Sequence, residues 1–246
     1  MVDRSFADLS LAALYDSLNP WGPCDDFYLG LVLAAGSVLD VGCGTGQLLR
    51  RARAAGHAGR LLGLDPAAAM LVQARAGEPH GIEWVLGDLR SRLWRGEFDL
   101  VVMTGHAFQV LVGEEELSTA LRAVRAALAP GGRFVFDTRH PAARAWEGWT
   151  PERVREISDG NGGTVRVRHR VETPVAGDRV TFTETFEHHG WPVPRTSRTT
   201  LRFLGPELLT DRLAEAGLAV EAQYGHWDRR PLTPAAPEII TVARAA

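Results

Sequence analysis

Val38-Leu39-Asp40-Val41-Gly42-Cys43-Gly44-Thr45-Gly46 is an apolar run that meets an acid and then glycines at every second position. Gln47-Leu48-Leu49-Arg50-Arg51-Ala52 follows as a good helix opening. A continuous Val- and Leu-rich run reads as a parallel strand buried on both faces. The glycines let the chain turn tightly and bring its backbone close to a ligand with no Cβ in the way. Residues 37–55 therefore predict a strand, a ligand-hugging loop and a helix, the first unit of a nucleotide-type α/β fold. The spacing disfavours two phosphate-binding loops. G-x-G-x-x-G would need a glycine where Gln47 stands, and a P-loop needs Gly-Lys-Ser/Thr, whereas no lysine is present here.

Downstream segments repeat the pattern of an apolar strand tipped by an acid. Arg60 to Asp65, followed by Pro66, is the second strand, and Asp65 lies 19 residues after Gly46. An acid at that distance is placed to grip a ribose, because a carboxylate accepts two hydrogen bonds from a vicinal diol. Ile82 to Leu86, followed by Gly87-Asp88-Leu89, is the third strand, and Phe98 to Met103, followed by Thr104-Gly105-His106, the fourth. Leu117 to Leu128 is an Ala- and Leu-rich helix closed by Ala129-Pro130-Gly131-Gly132, and Arg133 to Thr138 is the fifth strand. A helix from Pro206 stops at Ala216-Gly217, and strands at Leu218–Gln223 and Glu238–Ala243 complete the set.

An acid before G-x-G-x-G resembles motif I of the class I S-adenosylmethionine (SAM)-dependent methyltransferases. Helix, Pro-Gly-Gly, strand is similar to a second signature of that family. The resemblance covers residues 35–143 and 205–246 and implies a Rossmann-like, seven-stranded, mostly parallel α/β sheet of order 3-2-1-4-5-7-6. The ligand would lie beyond the carboxyl ends of the strands. The cofactor implied is S-adenosyl-L-methionine, with S-adenosyl-L-homocysteine as product. Gly42, Cys43, Gly44 and Gly46 would shape its loop, and Asp40 would face the ammonium of its methionine end. Asp65 with Pro66 would hold the ribose, and Asp88 with Gly87 and the Leu89 backbone the adenine. Met70 either packs on the adenine or belongs to the core.

The resemblance places acceptor chemistry after strand four, at Thr104, Gly105 and His106. His106 would act as base or orienting residue, or hold packing in place. Residues 1–34 carry two helical stretches, Leu9–Leu18 and Asp25–Ala34, which would form a lid. Tyr15 and Tyr28 on them either reach the sulfonium as cation–π partners or pack the lid. Arg139, His140 and His226 are further candidates for the acceptor pocket.

Residues 144–204 change to period two. Val165–Val171, Val180–Phe186 and a weaker run at Thr199–Leu204, with turns at Pro174–Asp178 and Gly190–Pro194, predict a small antiparallel β insert. It would cap the substrate side, with Trp146 at the acceptor, or pair two copies as a homodimer through an exposed edge. The arginines at 166, 168 and 170 read either as a face for an anionic substrate or, the favoured reading, as a solvated face paired with acids such as Glu184 and Glu187.

The reading is thus a SAM-dependent methyltransferase of a small molecule, transferring methyl in line to nitrogen or oxygen. Asn/Asp-Pro-Pro-Tyr/Phe, the mark of many amino-group methylases of DNA and protein, does not occur. A net charge of −3 in 246 residues gives no basic footprint for nucleic acid. Methylation of RNA or protein, and a non-catalytic SAM-binding regulator, are the alternatives. No apolar run has membrane-span length and no signal peptide is visible, so neither membrane nor export is expected, and a cytoplasmic location is. Two cysteines and no Cys/His cluster at ligand spacing lead us to expect neither disulfide nor metal.

Overall fold

The computed structural model describes residues 2–77, 80–175 and 177–246. Along the core the chain runs β1 (Ser37–Val41), α5 (Gln47–Ala54), β2 (Arg60–Asp65), α6 (Ala68–Ala76), β3 (Glu83–Leu86) and β4 (Phe98–Met103). It continues through α7 (Glu114–Ala127), β5 (Leu128–Arg139), α8 (Pro206–Glu215), β10 (Leu218–Tyr224) and β11 (Glu238–Ala245). These strands form one seven-stranded sheet ordered β10-β11-β5-β4-β1-β2-β3. Only β11 runs antiparallel to its neighbours. This is the expected 3-2-1-4-5-7-6 order, with β10 and β11 as its sixth and seventh members.

The central strands are apolar on both faces because helices cover both. Leu39, Leu62, Leu64, Val101, Phe134 and Phe136 pack under α7 and α8, against Leu117, Leu121, Leu209 and Leu213. Val38, Leu61, Leu100, Val102 and Val135 face the other way, against α4 (Pro23–Ala34) and α5 through Tyr28, Val32, Leu49 and Ala52. Each fully buried large side chain contributes about 2 kcal/mol by leaving water. The Pro-Gly-Gly stretch lies within β5 and not in a loop before it. Phe98 pairs with Leu128 and Leu100 with Arg133, so residues 129–132 bulge out opposite Asp99.

The amino-terminal stretch is not one helix. It breaks into α1 (Arg4–Ala7), α2 (Leu9–Ala12) and α3 (Tyr15–Leu18). The side chain of Asp8 caps α2 by accepting from the backbone of Ser10 and Leu11, which requires extended backbone at Asp8. The apolar residues of α2 and of the start of α3 divide between two surfaces. Leu11 and Leu14 pack on the insert, while Ala12 and Tyr15 pack with Ala67, Ala69 and Met70 of the core. The capping box of α4 closes on Asp25, whose carboxylate accepts from the Gly22 N–H at 2.8 Å.

The insert is a four-stranded antiparallel meander of β6 (Arg155–Ser158), β7 (Thr164–Val171), β8 (Arg179–His188) and β9 (Arg195–Arg202). The sequence predicts only three of these, since β6 offers a single apolar residue, Ile157. Ala176, in the turn expected at 174–178, lies outside the described residues. Arg166 pairs with Glu156 at 3.2 Å and Arg168 with Glu187 at 3.2 Å on the outer face, as the solvated-face reading expects. Glu184 instead points inward to His169 at 3.0 Å. Arg202, almost fully buried, ties the insert to the core by pairing with Asp178 at 2.7 Å and with Glu114 of α7. Among the described residues no helix is long and apolar enough to cross a membrane.

Candidate active site

The carboxyl ends of β1 and β2 bring two acids together. Asp40 is 1% exposed, and its Oδ1 has no hydrogen-bond partner among the described residues. Burial first, and then the charge of Asp65, push its carboxyl up to about 7. Asp65 accepts from the N–H of Gly44 at 2.8 Å and of Ala67 at 2.8 Å. Burial raises its carboxyl too, and those backbone donors oppose the rise. Each of its oxygens keeps a second lone pair for a further donor.

The glycines of the loop differ in what they make room for. A Cβ on Gly44 would stand 3.8 Å from the Tyr15 ring, whereas one on Gly46 would fall 2.2 Å from the Trp84 ring. Trp84, on β3, covers Gly46 and Gly63, so Gly46 is required by a tryptophan. Gly44 and Gly46 also have positive φ, 55° and 72°. Gly42, at φ 73°, faces Ala107, just past β4. The Cys43 thiol points into a cluster with Leu71, Ala74 and Trp84, leaving its backbone on the loop.

The amino-terminal helices are fastened to this loop. Thr45 donates to Asp16 at 2.5 Å, and Arg50 lies 3.6 Å from the same carboxylate. Tyr15, at the start of α3, thereby lies between the loop and the turn after β4: a Cβ on Gly105 would stand 3.9 Å from its hydroxyl. Burial and the surrounding acids, Asp65 foremost, hold the phenol protonated, pushed up to about 12. Met70 is buried beside Tyr15, beneath the amino-terminal helices. Pro66 continues the tip of β2 toward α6. On the far side, Asp88 binds Arg90 at 2.6 Å, which lowers its carboxyl. The Leu89 side chain packs into the main core, and Gly87, at φ 151°, leaves space that Ser91 fills.

After β4 the chain turns through Thr104, Gly105 at φ 60° and His106 at φ 65°. A non-glycine residue in the left-handed region needs support from its surroundings. Here the His106 N–H donates to Asp137 Oδ2 at 2.9 Å, and its ring Nε2 meets Glu238 Oε2 at 2.9 Å. Asp137, fully buried on β5, also accepts from the Tyr28 hydroxyl at 2.6 Å. Burial raises the Asp137 carboxyl, while His106 and the Tyr28 hydrogen bond oppose that rise. The donor atoms of His106, Asp137 and Glu238 lie within 4.8 Å of one another, a spacing that would also admit a cation. Tyr28 thus serves Asp137, on the same helix that packs under the sheet. Removing its hydroxyl in Tyr28→Phe leaves a buried carboxylate oxygen without its donor. The expected cost is about 1–3 kcal/mol, read as a melting temperature lower by several degrees; an unchanged melt would show that this hydrogen bond does not hold Asp137.

Arg139, at the end of β5, donates from Nη1 to Gln109 Oε1 at 3.1 Å and lies over the Trp149 ring at 5.2 Å. Gln109 is fully buried, and its Nε2 donates to the Arg202 carbonyl at 3.0 Å. Trp146 packs edge-on against Phe203 in the insert. His140 caps its own turn, its Nδ1 accepting from the Ala142 N–H at 3.0 Å. His226 lies in the loop whose Trp227 covers Phe27 and Tyr28. The structure therefore gathers Asp40, Asp65, Tyr15, Gly44, Gly105 and His106 about the strand ends. Cys43 and Leu89 turn their side chains elsewhere, and Tyr28 touches the site only through its hydrogen bond to Asp137. Asp137, Gln109 and Glu238 join the site without having been singled out from sequence.

The chain thus presents a Rossmann-like sheet with a glycine loop between two acid-tipped strands, and the comparisons say what it is similar to. Residues 38–132 match the family of the methyltransferase domain. The 2-phytyl-1,4-naphtoquinone methyltransferase of Thermosynechococcus vestitus is 35% identical over 150 residues, 56% of this chain and 65% of that protein. The match thus spans slightly less than two thirds of that relative. The CcbJ methyltransferase of Streptomyces caelestis superposes with a TM-score of 0.76 at 21% identity, covering 98% of both chains. A SAM-bound amino pentose methyltransferase of Micromonospora echinaspora gives a TM-score of 0.67 at 26% identity over 95% of each chain. Residues 38–132 thus carry a match to the methyltransferase-domain family, and the chain as a whole shares the fold of these methyltransferase structures.

Proposed function

We propose that the protein is a SAM-dependent methyltransferase that moves a methyl group directly to a nitrogen or oxygen of a small molecule. The observation that carries this reading is Asp40. A buried carboxylate oxygen with no partner, beside a second acid and a glycine loop, calls for a cation. The ammonium of SAM is such a cation, and the residues present fit it. Asp65 would hold the ribose hydroxyls, the Gly42–Gly46 backbone would border the methionine end, and Asp88 with Leu89 would border the adenine. When bound, SAM supplies a sulfonium methyl that is already electrophilic and a neutral leaving group.

The chain must then orient the acceptor, exclude water and remove a proton. Tyr15, kept neutral, presents its ring and hydroxyl between the glycine loop and Gly105. His106 donates Nε2–H to Glu238 in its neutral form, which leaves Nδ1 as the proton acceptor. The amino-terminal helices pack both on the insert and on residues 67–70 just past β2, an arrangement that would enclose a small acceptor and not a nucleic-acid duplex. Calorimetry with SAM, S-adenosylhomocysteine and NAD tests the reading. Micromolar binding of the first two and none of NAD is expected; NAD binding with no affinity for SAM would overturn it.

A further inference from the structure

Arg139 and Glu238 stand directly opposite each other in the antiparallel pair of β5 and β11. Opposed residues project to the same face with Cβ atoms about 5 Å apart, so an ion pair between them is the natural outcome. It does not form. Glu238 turns to His106, and among the described residues no carboxylate lies within ion-pair distance of Arg139. The guanidinium rests instead on a neutral amide, Gln109, and on the face of Trp149. Both supports are fixed. Gln109 is anchored on the Arg202 carbonyl, and Trp149 packs against Phe182 at 4.8 Å.

Burial of Arg139 disfavours its charge, Glu238 and Asp137 oppose that from beyond pairing distance, and a guanidinium cannot discharge by losing a proton at neutral pH. One of its five N–H donors meets Gln109, and the others form a rigid fork suited to a carboxylate. The site is therefore bipolar. Glu238, Asp137 and His106 make one side acidic and proton-accepting, and Arg139 makes the other cationic, with Tyr15 close enough to Arg139 to feel its charge. A neutral amine would leave Arg139 without an anion, and a simple carboxylate would leave the acidic side without a cation.

We infer that the methyl acceptor is an amine that also bears a carboxylate, a free amino acid or a close derivative. Arg139 binds the carboxylate, and the amine lies toward His106 and Glu238. This rests on the methyltransferase reading above. The acceptor ammonium gives one proton to the His106–Glu238 pair. Its nitrogen lone pair then forms the N–CH3 bond as the C–S bond breaks, and that electron pair stays on sulfur. The products are an N-methyl amino acid and S-adenosylhomocysteine.

The test measures S-adenosylhomocysteine formation from SAM with the common α-amino acids, β-alanine and γ-aminobutyrate. Each is assayed beside its carboxamide and its decarboxylated amine. At least one acid is expected to be methylated with a kcat/KM at least tenfold above its carboxamide. Arg139→Gln should then raise KM for that acid at least tenfold, leave the carboxamide unaffected and keep SAM affinity within twofold. Arg139→Lys, which keeps the charge without the fork, should fall between the two and guards against misfolding of the first variant. Equal use of acid and carboxamide, equal loss on both in Arg139→Gln, or SAM binding with none of the acids methylated would overturn the inference. Failure to bind SAM would instead strike the methyltransferase reading itself.

Discussion

Asp40→Asn is expected to weaken SAM binding about 100-fold or more while making the ligand-free protein more stable at pH 8. The first effect follows from removing the anion opposite a buried ammonium, a loss of about 3–5 kcal/mol. The second follows from linkage. Burial and Asp65 raise the folded-state carboxyl of Asp40 to about 7, well above the ordinary value in an unfolded chain. A raised carboxyl favours folding below its unfolded value and loses that contribution as pH rises through the folded one. At pH 8 the wild type carries the full penalty, about 4 kcal/mol for a carboxyl moved this far. Asparagine does not ionise and is free of it. The melting temperature of ligand-free Asp40→Asn should therefore exceed the wild type by several degrees at pH 8, with the gap closing toward pH 4. Wild-type affinity for SAM should fall about tenfold for each pH unit below 7, because the protonated carboxyl must first ionise. Calorimetry in buffers of different ionisation enthalpy should show nearly one proton released on binding at pH 6 and little at pH 8. A variant that binds SAM as well as the wild type, or wild-type affinity that is flat from pH 5 to 8, would remove Asp40 from the cofactor site.

What sequence could and could not say divides along local and long-range lines. Asp40, Gly42, Gly44 and Asp65 announce themselves because strand, acid and glycine follow one another within a few residues, and the core strands are legible for the same reason. The break between α2 and α3 is less visible, since Leu9, Leu11, Leu14 and Leu18 suit a helix by spacing. The Asp8 cap fixes where α2 begins, and the chain turns at Ala13 and Leu14 before α3, so that residues 11–15 serve two packing surfaces. Gly46 reads as a ligand glycine, but the ring that requires it belongs to Trp84, 38 residues on, which no local pattern connects to it. Glu238 enters the site through its place opposite Arg139, 99 residues away in sequence, and Gln109 sits on a short 3-10 turn with no period to mark it. Asp137 did carry a signal: it is one more acid near the tip of a core strand. Which of its neighbours it would bind depends on Tyr28, whose face on α4 periodicity alone does not orient toward a carboxylate.

His106→Gly should reduce kcat by about 100-fold or more, the range of a lost general base, while SAM affinity changes less than twofold. The choice of glycine separates chemistry from architecture. His106 stands at φ 65°, a conformation that glycine adopts without strain, and its N–H to Asp137 belongs to the backbone, so that link survives the substitution. What disappears is the imidazole and its bond to Glu238. If that ring removes the acceptor proton, free imidazole added to the medium should restore part of the lost rate, because the space vacated is one ring in size. Glu238→Gln should give a smaller loss that imidazole does not rescue, since the ring remains but its tautomer is no longer fixed by a carboxylate. A ring that only fills space predicts a different set of results. The melting temperature would drop with the loss of packing, kcat would stay within about threefold of the wild type, and imidazole would have no effect. Measuring kcat, SAM affinity and the melt on the two variants therefore decides whether the turn after β4 carries a base or merely closes the sheet against the amino-terminal helices.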